Sequence, residues 1–212
     1  MNKINIPKLI LITSPEPVSN EFEIINSLFD EGLECLHLRK PDFDLPELEH
    51  WIQHINKHNY SKIVIHSHFD LTEKIQLKGI HLTNDFLKLT SENDFFSIVQ
   101  KAKSEKHTIS ASVHDLKELK TLKTDYDYVF LSPVFDSISK QGYKSKFNLK
   151  ELMKDLKKRN SNINLIALGG IDEGNIGLAL QSGFSGVAML GAIWNTQNSD
   201  IIEKFRRIKN II

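Results

Sequence analysis

Two glycine-containing segments near the C-terminal end of the chain have the residue types and spacing to bind an anion. Leu168-Gly169-Gly170-Ile171-Asp172 and Gly186-Val187-Ala188-Met189-Leu190 each look like a buried strand that opens into a turn and a helix start. Because glycine has no Cβ, its backbone N–H group can approach an anion closely. The first turn of a helix adds unpaired N–H groups and a favourable dipole. The sequence therefore predicts that the backbone binds phosphate at four positions: Gly169, Gly170, Leu190 and Gly191.

The other candidate site residues lie at or just after the ends of apolar segments. They are His37, Arg39, Lys40, His66, Ser112, His114, Ser137, Ser139 and Lys140. Cations and hydroxyl groups dominate this set and carboxylates are scarce, which suits an anionic ligand such as a phosphorylated small molecule. Histidine can accept and donate a proton near neutral pH, so the set also contains candidates for acid/base chemistry.

These residues must be positioned by a regular alternation of short apolar and longer amphipathic segments, which is typical of parallel βα units. We predict eight strands: Lys8–Thr13, Glu34–Arg39, Lys62–His66, Gly79–Leu82, Thr108–Ser112, Tyr128–Leu131, Asn164–Leu168 and Gly186–Met189. The helical patterns lie near 20–30, 45–57, 69–76, 93–103, 115–122, 148–158, 173–182 and 198–210. Eight near-regular units favour a closed (β/α)8 TIM barrel over an open doubly wound sheet. Such a barrel has its active site at the C-terminal ends of its strands.

Composition argues against several classes of protein. Lys plus Arg equals Asp plus Glu at 27 each, which argues against a nucleic-acid partner or a polybasic membrane surface. No apolar segment approaches the roughly 20 residues that span a bilayer. The single cysteine, Cys35, fits a reducing cytosol and an inert core thiol. We expect a cytoplasmic protein with a single domain over residues 1–212, because no linker or composition break divides it. The sequence leaves its oligomeric state open, a homo-oligomer included.

Several motifs, in order and in register over nearly the whole length, resemble those of the thiamine phosphate synthase/TenI superfamily of barrels. They are His37-Leu38-Arg39, Gly79-Ile80-His81-Leu82, Ser112-Val113-His114, the segment 132–140, Ala167-Leu168-Gly169-Gly170-Ile171 and Gly186-Val187-Ala188. In the segment 132–140, Ser137 and Ser139 replace two threonines of the family pattern and Lys140 matches its lysine. The resemblance implies a protein of thiamine biosynthesis that binds a phosphorylated thiazole.

The chain departs from the synthase pattern where the pyrophosphate end of that site is built. Synthases join a pyrimidine diphosphate to a thiazole phosphate with Mg²⁺, which prefers oxygen ligands and usually one or two carboxylates. Ser67 and Phe86 occupy the two positions where the synthases carry aspartate, and only Asp85 lies beside them. The strand-2 lysine of the synthases falls on Pro41, with Lys40 one residue early.

We therefore favour a tautomerase of the TenI type, which shifts a proton on the thiazole carboxylate phosphate and needs no cofactor or metal. By resemblance, His114 transfers the proton, and His37 or His66 is a second candidate. The alternatives are a divergent synthase that holds Mg²⁺ through Asp85, and a non-catalytic protein that binds the thiazole phosphate.

Two histidine patterns have simpler interpretations. His66-Ser67-His68 places two imidazoles on one strand face, but no third ligand follows at a recognisable spacing, so we predict no zinc site. His81 lies within an apolar strand, and we interpret it as a core or barrel-lining residue.

Overall fold

The computed structural model describes residues 6–136, 147, 149–158 and 163–212, with the backbone alone at positions 149 and 157. Eight parallel strands form a closed barrel in the order of the chain. They are β1 (Leu9–Ile12), β2 (Leu36–Leu38), β3 (Ile63–Ile65), β4 (Gly79–Leu82), β5 (Thr108–Val113), β6 (Tyr128–Leu131), β7 (Asn164–Leu168) and β8 (Gly186–Met189). The barrel closes where β1 pairs with β8, with Leu9 opposite Val187. The predicted (β/α)8 TIM barrel is confirmed.

Helices surround the strands. They are α1 (Glu21–Asp30), α2 (Leu45–Gln53), α3 (Leu71–Lys74), α4 (Asn84–Leu89), α5 (Glu92–Ser104), α6 (Leu149–Lys158), α7 (Ile176–Gln181), α8 (Gly191–Trp194) and α9 (Ile201–Ile211). Three short 3₁₀ helices cover Lys57–Lys62, Leu116–Thr121 and Asn198–Asp200. None of the helices in the described part of the chain combines the length and apolar character that a membrane span requires.

The predicted strands all form, and four of them have the predicted bounds. The helical pattern at 115–122 becomes a 3₁₀ helix over Leu116–Thr121. Two short helices, α4 and α8, lie outside the predicted helical patterns, although a helix start was expected at the end of the last strand, where α8 begins. The start of α4 carries a local signal nonetheless, since the Thr83 side chain accepts a hydrogen bond from the backbone N–H of Phe86 at 3.2 Å.

Apolar side chains fill both faces of the barrel wall. One buried cluster occupies the interior and includes Ile10, Val64, Phe130 and Ile166. A larger cluster fills the layer between the strands and the surrounding helices. Strands that are buried on both faces carry continuous apolar runs rather than alternating ones, which explains why the strand predictions succeeded.

Two glycine-to-alanine substitutions, one in a packed position and one in an open position, test this packing. In Gly79→Ala, the new Cβ would lie 2.0 Å from the backbone oxygen of Thr108, so β4 and β5 would have to move apart. We expect this variant to lose about 3 kcal/mol in free energy of unfolding, measured in urea, because overpacking against backbone has few ways to relax. Gly177→Ala is the matched control: its Cβ meets no atom within 4 Å, and alanine favours the helix by about 1 kcal/mol. Equal stability of the two variants would contradict the packing.

Candidate active site

The C-terminal ends of the strands form the mouth of the barrel, where most of the predicted site residues gather. His37 lies within β2 and Arg39 follows it, His66 follows β3, Ser112 is on β5, and His114 follows β5. Gly169 and Gly170 follow β7, and Leu190 and Gly191 follow β8. Ser137, Ser139 and Lys140 lie outside the described residues.

The glycine turn after β7 has a packing reason for its sequence. Gly169 and Gly170 have φ values of 86° and 67°, a left-handed region that glycine adopts readily. A Cβ on Gly170 would lie 2.2 Å from the backbone oxygen of Asp136, and one on Gly169 would lie 2.8 Å from Cα of Pro133. The backbone that follows β6 therefore packs directly on this turn, which accounts for both glycines whether or not an anion binds there.

Two backbone hydrogen bonds join the same pair of segments. Val134 N–H donates to the carbonyl oxygen of Leu168 at 3.0 Å, and Phe135 N–H donates to that of Gly169 at 3.1 Å. The end of β7 and the segment after β6 therefore form one unit at the mouth.

The last strand ends in a short helix rather than a loop. Leu190 precedes α8, which begins at Gly191, and the first N–H groups of such a turn have no intrahelical partner. The indole Nε1 of Trp194, at the end of α8, donates to the carbonyl oxygen of Ile12 at 2.7 Å. This bond fixes α8 beside the end of β1 and so positions Gly191 at the mouth.

A chain of hydrogen bonds crosses the barrel interior through two histidines. Nε2 of His37 lies 2.6 Å from the hydroxyl oxygen of Tyr128, and Nδ1 of His37 lies 2.9 Å from Nε2 of His66. His37 is completely buried, so both of its ring nitrogens need these partners. Nδ1 of His66 is buried and has no hydrogen-bond partner among the described residues.

The third interior histidine, His81, is held by two serines of β5. Its Nδ1 lies 2.9 Å from Oγ of Ser110 and its Nε2 lies 3.1 Å from Oγ of Ser112. The Ser110 hydroxyl donates to the carbonyl oxygen of Ile80, so it accepts from Nδ1, and Ser112 donates to Nε2. The prediction of a barrel-lining histidine agrees with this arrangement. Ser112, predicted to bind the ligand, is thereby engaged by His81.

Burial keeps these three imidazoles neutral. Desolvation lowers the pKa of His81 to about 3, with the positive charge of Arg39 as a second cause. Desolvation is also the main cause that holds the pKa values of His37 and His66 well below 6.5. For His66 the neighbouring rings of His81 and His37 and the charge of Arg39 lower the pKa further.

His114 has a different environment, because its side chain is exposed. Its Nδ1 lies 2.7 Å from the carbonyl oxygen of Ser132. A carbonyl oxygen only accepts hydrogen bonds, so Nδ1 carries the proton. In the neutral ring Nε2 is therefore the basic nitrogen, and the ring is oriented by the segment that follows β6.

The two cations after β2 differ in their partners. Within the described part of the chain, the guanidinium of Arg39 has no carboxylate within ion-pair distance. Lys40 was predicted to bind the ligand, but its Nζ donates to both carboxylate oxygens of Glu21 at 2.9 Å. Trp51 Nε1 donates to the same carboxylate at 3.1 Å. Lys40 is buried against α1 and α2 in this pair, and its contact with a ligand stays a prediction.

The positions that the synthase pattern reserves for Mg²⁺ ligands do not fit that ion. The ring of Phe86 packs edge-on against Phe69, with 5.1 Å between centroids, and Ser67 offers only a hydroxyl group. Asp85 is exposed in the first turn of α4. Among the described residues, the one group of three potential metal ligands contains no carboxylate and consists of His37, His66 and His81.

Sequence analysis missed the partners of these histidines. Tyr128, Ser110 and Thr13 were included only as members of predicted strands, without a role at the site. Thr13 accepts the backbone N–H of Arg39 at 2.8 Å and donates to its carbonyl oxygen at 3.0 Å, so it fixes the end of β2. A polar side chain inside an otherwise apolar strand was the available signal, because a buried polar group needs a partner.

The buried ion pair predicts an asymmetric response to mutation. Lys40→Ala leaves the Glu21 carboxylate buried without its cation, and we expect a loss of about 3–5 kcal/mol in free energy of unfolding. The double variant Lys40→Met/Glu21→Met should lose much less, because it removes both charges. Urea denaturation measures both. A Lys40→Ala variant with wild-type stability and weakened phosphate binding would instead restore the ligand role.

The buried neutral histidines predict lower stability in acid. The unfolded chain protonates each histidine near pH 6.5, whereas the folded chain does so only at lower pH, so stability present above about pH 6.5 is lost as the pH falls. Each buried histidine should add up to about 1.4 kcal/mol per pH unit to this slope. His81→Gln should reduce the slope between about pH 6 and pH 4, measured by urea denaturation. His58→Gln, at an exposed position, should leave it unchanged; an identical slope in both variants would contradict the assignment.

Comparisons with known proteins agree with this architecture. The model of the thiamine monophosphate synthase family (TMP-TENI) matches residues 9–193. Thiamine-phosphate synthase of Dictyoglomus turgidum is 25% identical over 195 residues, covering 90% of this chain and 82% of the relative. The Staphylococcus haemolyticus thiamine-phosphate synthase is 28% identical over 185 residues, covering 84% and 83%.

The same likeness appears among solved structures. The thiamine phosphate pyrophosphorylase from Bacteroides thetaiotaomicron superposes with a TM-score of 0.78, at 32% identity and 97% coverage of both chains. The names of these relatives are those of synthases, which are transferases, and they favour the synthase alternative over the tautomerase. Because the family model spans most of its length and a solved relative shares its barrel, the chain belongs to the thiamine monophosphate synthase (TMP-TENI) family.

Proposed function

We propose that the chain acts on a thiazole phosphate by metal-free proton transfer, as a tautomerase of its family. The observation that carries this proposal is the orientation of His114. Its Nδ1–H group is engaged by the carbonyl oxygen of Ser132, so the neutral ring has its basic nitrogen on the opposite side. The side chain is exposed at the mouth of the barrel, where a substrate can reach it.

In this proposal His114 moves the proton. Nε2 takes a proton from the thiazole ring system and the imidazolium then returns it at another ring position, which leaves the substrate as its aromatic isomer. The carbonyl oxygen of Ser132 continues to accept from Nδ1–H throughout and stabilises the imidazolium. An imidazole can serve as base and acid in turn near neutral pH, and no electron or group leaves the substrate.

The phosphate would bind on the opposite side of the mouth from β3 and β4. Gly169 and Gly170 turn sharply after β7, and Gly191 begins α8, so backbone N–H groups of two successive βα connections are close to one another. Arg39 supplies a cation with no described carboxylate partner. We include Ser137, Ser139 and Lys140 as phosphate or carboxylate contacts on the basis of the family pattern, together with Leu190.

His37 acts through its neighbours in this proposal. Both of its nitrogens are engaged, by Tyr128 and His66, and the ring is fully buried. We therefore propose a positioning role for His37, which orients His66, and place the proton transfer on His114 alone.

A synthase activity is the second candidate, and the names of the relatives favour it. Joining a pyrimidine diphosphate to a thiazole phosphate would need Mg²⁺ at the expelled pyrophosphate, whereas Ser67 and Phe86 offer no carboxylate. Asp85 is the nearest carboxylate in sequence to the strand-4 position. A third candidate is a protein that binds the thiazole phosphate without turnover.

One pair of assays separates these three candidates. Purified protein is incubated with the thiazole carboxylate phosphate alone, and separately with thiazole phosphate plus pyrimidine diphosphate, each with Mg²⁺ and with EDTA. Conversion of the tautomer in EDTA supports the proposal. Mg²⁺-dependent formation of thiamine phosphate establishes the synthase instead. Binding of the thiazole phosphate without either product identifies the non-catalytic protein.

His114→Gln should lower the rate of tautomer conversion by about 10²–10⁴-fold, the usual contribution of a general acid/base. Binding of the thiazole phosphate, measured by calorimetry, should change little, because glutamine keeps a side-chain donor near the carbonyl oxygen of Ser132. His58→Gln is the matched control at an exposed histidine outside the mouth. If both variants retain full activity, His114 is not the proton carrier.

A further inference from the structure

Three histidines from consecutive strands converge inside the barrel. His37 on β2, His66 after β3 and His81 on β4 each place a ring nitrogen within 4.8 Å of the other two. The ring centroids are 5.1 Å apart for His37 and His66, 5.4 Å for His37 and His81, and 4.3 Å for His66 and His81. The proposed proton transfer at His114 uses none of these rings as an acid or a base.

We propose that His37, His66 and His81 bind a borderline transition-metal ion, with Zn²⁺ and Co²⁺ as representatives. Imidazole is a preferred ligand of these ions, and three histidines with one open position form a known type of site. Hard ions such as Mg²⁺ prefer oxygen ligands, so this site differs in chemistry from the synthase metal site. The proposal does not depend on which reaction the chain catalyses.

Two of the three imidazoles already have the outer hydrogen bonds that metal-ligating histidines usually make. A ligating ring normally engages a fixed partner through its second nitrogen, which orients the ring. Nε2 of His37 has Tyr128 at 2.6 Å, and Nδ1 of His81 has Ser110 at 2.9 Å. Nδ1 of His37 and Nε2 of His81 therefore remain as the two ligand atoms, and the ion replaces the hydrogen bond from Ser112 to His81.

His66 supplies the third ligand through Nε2. Nδ1 of His37 and Nε2 of His66 are 2.9 Å apart and share one proton. In the arrangement that can bind an ion, Nε2–H of His37 donates to the hydroxyl oxygen of Tyr128, so the shared proton belongs to Nε2 of His66. Binding of an ion at Nδ1 of His37 and Nε2 of His66 moves that proton to Nδ1 of His66, a buried nitrogen that has no partner among the described residues. Both rings stay neutral, so no proton is released.

The rings need a modest adjustment to share an ion. Ligand nitrogens around a tetrahedral zinc ion lie roughly 3.4 Å apart, given Zn–N distances of about 2.0–2.1 Å. His66 and His81 are stacked with an interplanar angle of 26°, whereas lone pairs that meet at one ion require the planes to diverge. His66 is the ring that turns, because its Nδ1 has no partner among the described residues and the ring is held through Nε2 by His37.

Two histidines at the surface also have a spacing that can bind a metal ion, so the test needs a control variant without them. His50 and His54 are exposed, lie four residues apart at the end of α2 and have ring centroids 4.6 Å apart. His50→Ala/His54→Ala removes this pair and leaves the interior cluster unchanged. His68→Ala removes the other histidine of the His66-Ser67-His68 pattern, whose ring instead lies 3.2 Å from the carbonyl oxygen of Phe43.

The test is a titration of the purified full chain with Co²⁺, followed by its visible d–d absorption, with Zn²⁺ competition to give affinity. We expect one tetrahedral Co²⁺ per chain, displaced by Zn²⁺. His66→Ala should weaken binding at least tenfold, and His50→Ala/His54→Ala and His68→Ala should bind as the wild type does. Absence of tetrahedral bands in the wild type would overturn the proposal, as would bands that survive in His66→Ala but disappear in His50→Ala/His54→Ala.

A measurement of Tm with and without Zn²⁺ distinguishes loss of metal binding from misfolding of a variant. An ion that binds only the folded chain raises the Tm, by an amount that grows with the logarithm of its concentration relative to its Kd. Zn²⁺ should raise the Tm of the wild type and of His68→Ala, and should not raise that of His66→Asn, a polar replacement at a partly buried position. An equal rise in His66→Asn would overturn the proposal. Neither readout involves turnover, so the result is separate from the test of His114.

Discussion

The apolar interior of the closed barrel constrains every polar group that enters it. With both faces of the wall covered by apolar side chains, a ring nitrogen inside must find its partner on a neighbouring strand or lose the hydrogen bonds that water would provide. His37 meets Tyr128 and His66, and His81 meets Ser110 and Ser112. These bonds join β2 to β3 and β6, and β4 to β5. The positions of the side chains between β2 and β6 therefore follow from the need to pair these ring nitrogens.

Much of the fold could be predicted because local patterns determine it. The alternation of short apolar and longer amphipathic segments identified all eight strands, and the glycine turn after β7 was recognised from its sequence alone. The site was harder, because its contacts join residues that are distant in sequence. Sequence analysis looked for a third metal ligand after His66 and His68 in the chain. In the barrel, the residues near His66 are instead His37 and His81, which come from the neighbouring strands. Lys40 was grouped with ligand-binding cations because nothing local indicates that its partner is Glu21, nineteen positions earlier in α1.

Packing in the structure gives a physical reason for the departures from the synthase pattern. Phe86 is part of an aromatic contact with Phe69 and partly buried against the core, so it cannot be exchanged for a carboxylate without loss of packing. His66, next to Ser67, belongs to a hydrogen-bonded histidine group. The β3–β4 side of the mouth is therefore a consistent set of aromatic and imidazole rings rather than a damaged carboxylate site.

The backbone between Ser132 and Asp136 links the two remaining parts of the mouth. Its first carbonyl oxygen orients His114, and the N–H groups of Val134 and Phe135 bond to Leu168 and Gly169. His114 after β5 and the glycine turn after β7 are thus joined through five residues of one backbone segment. A substitution that displaces this segment disturbs both features at once, whereas the β2–β4 side has its own hydrogen bonds. The residues of the histidine group can therefore change without moving the backbone that holds His114 and the glycine turn.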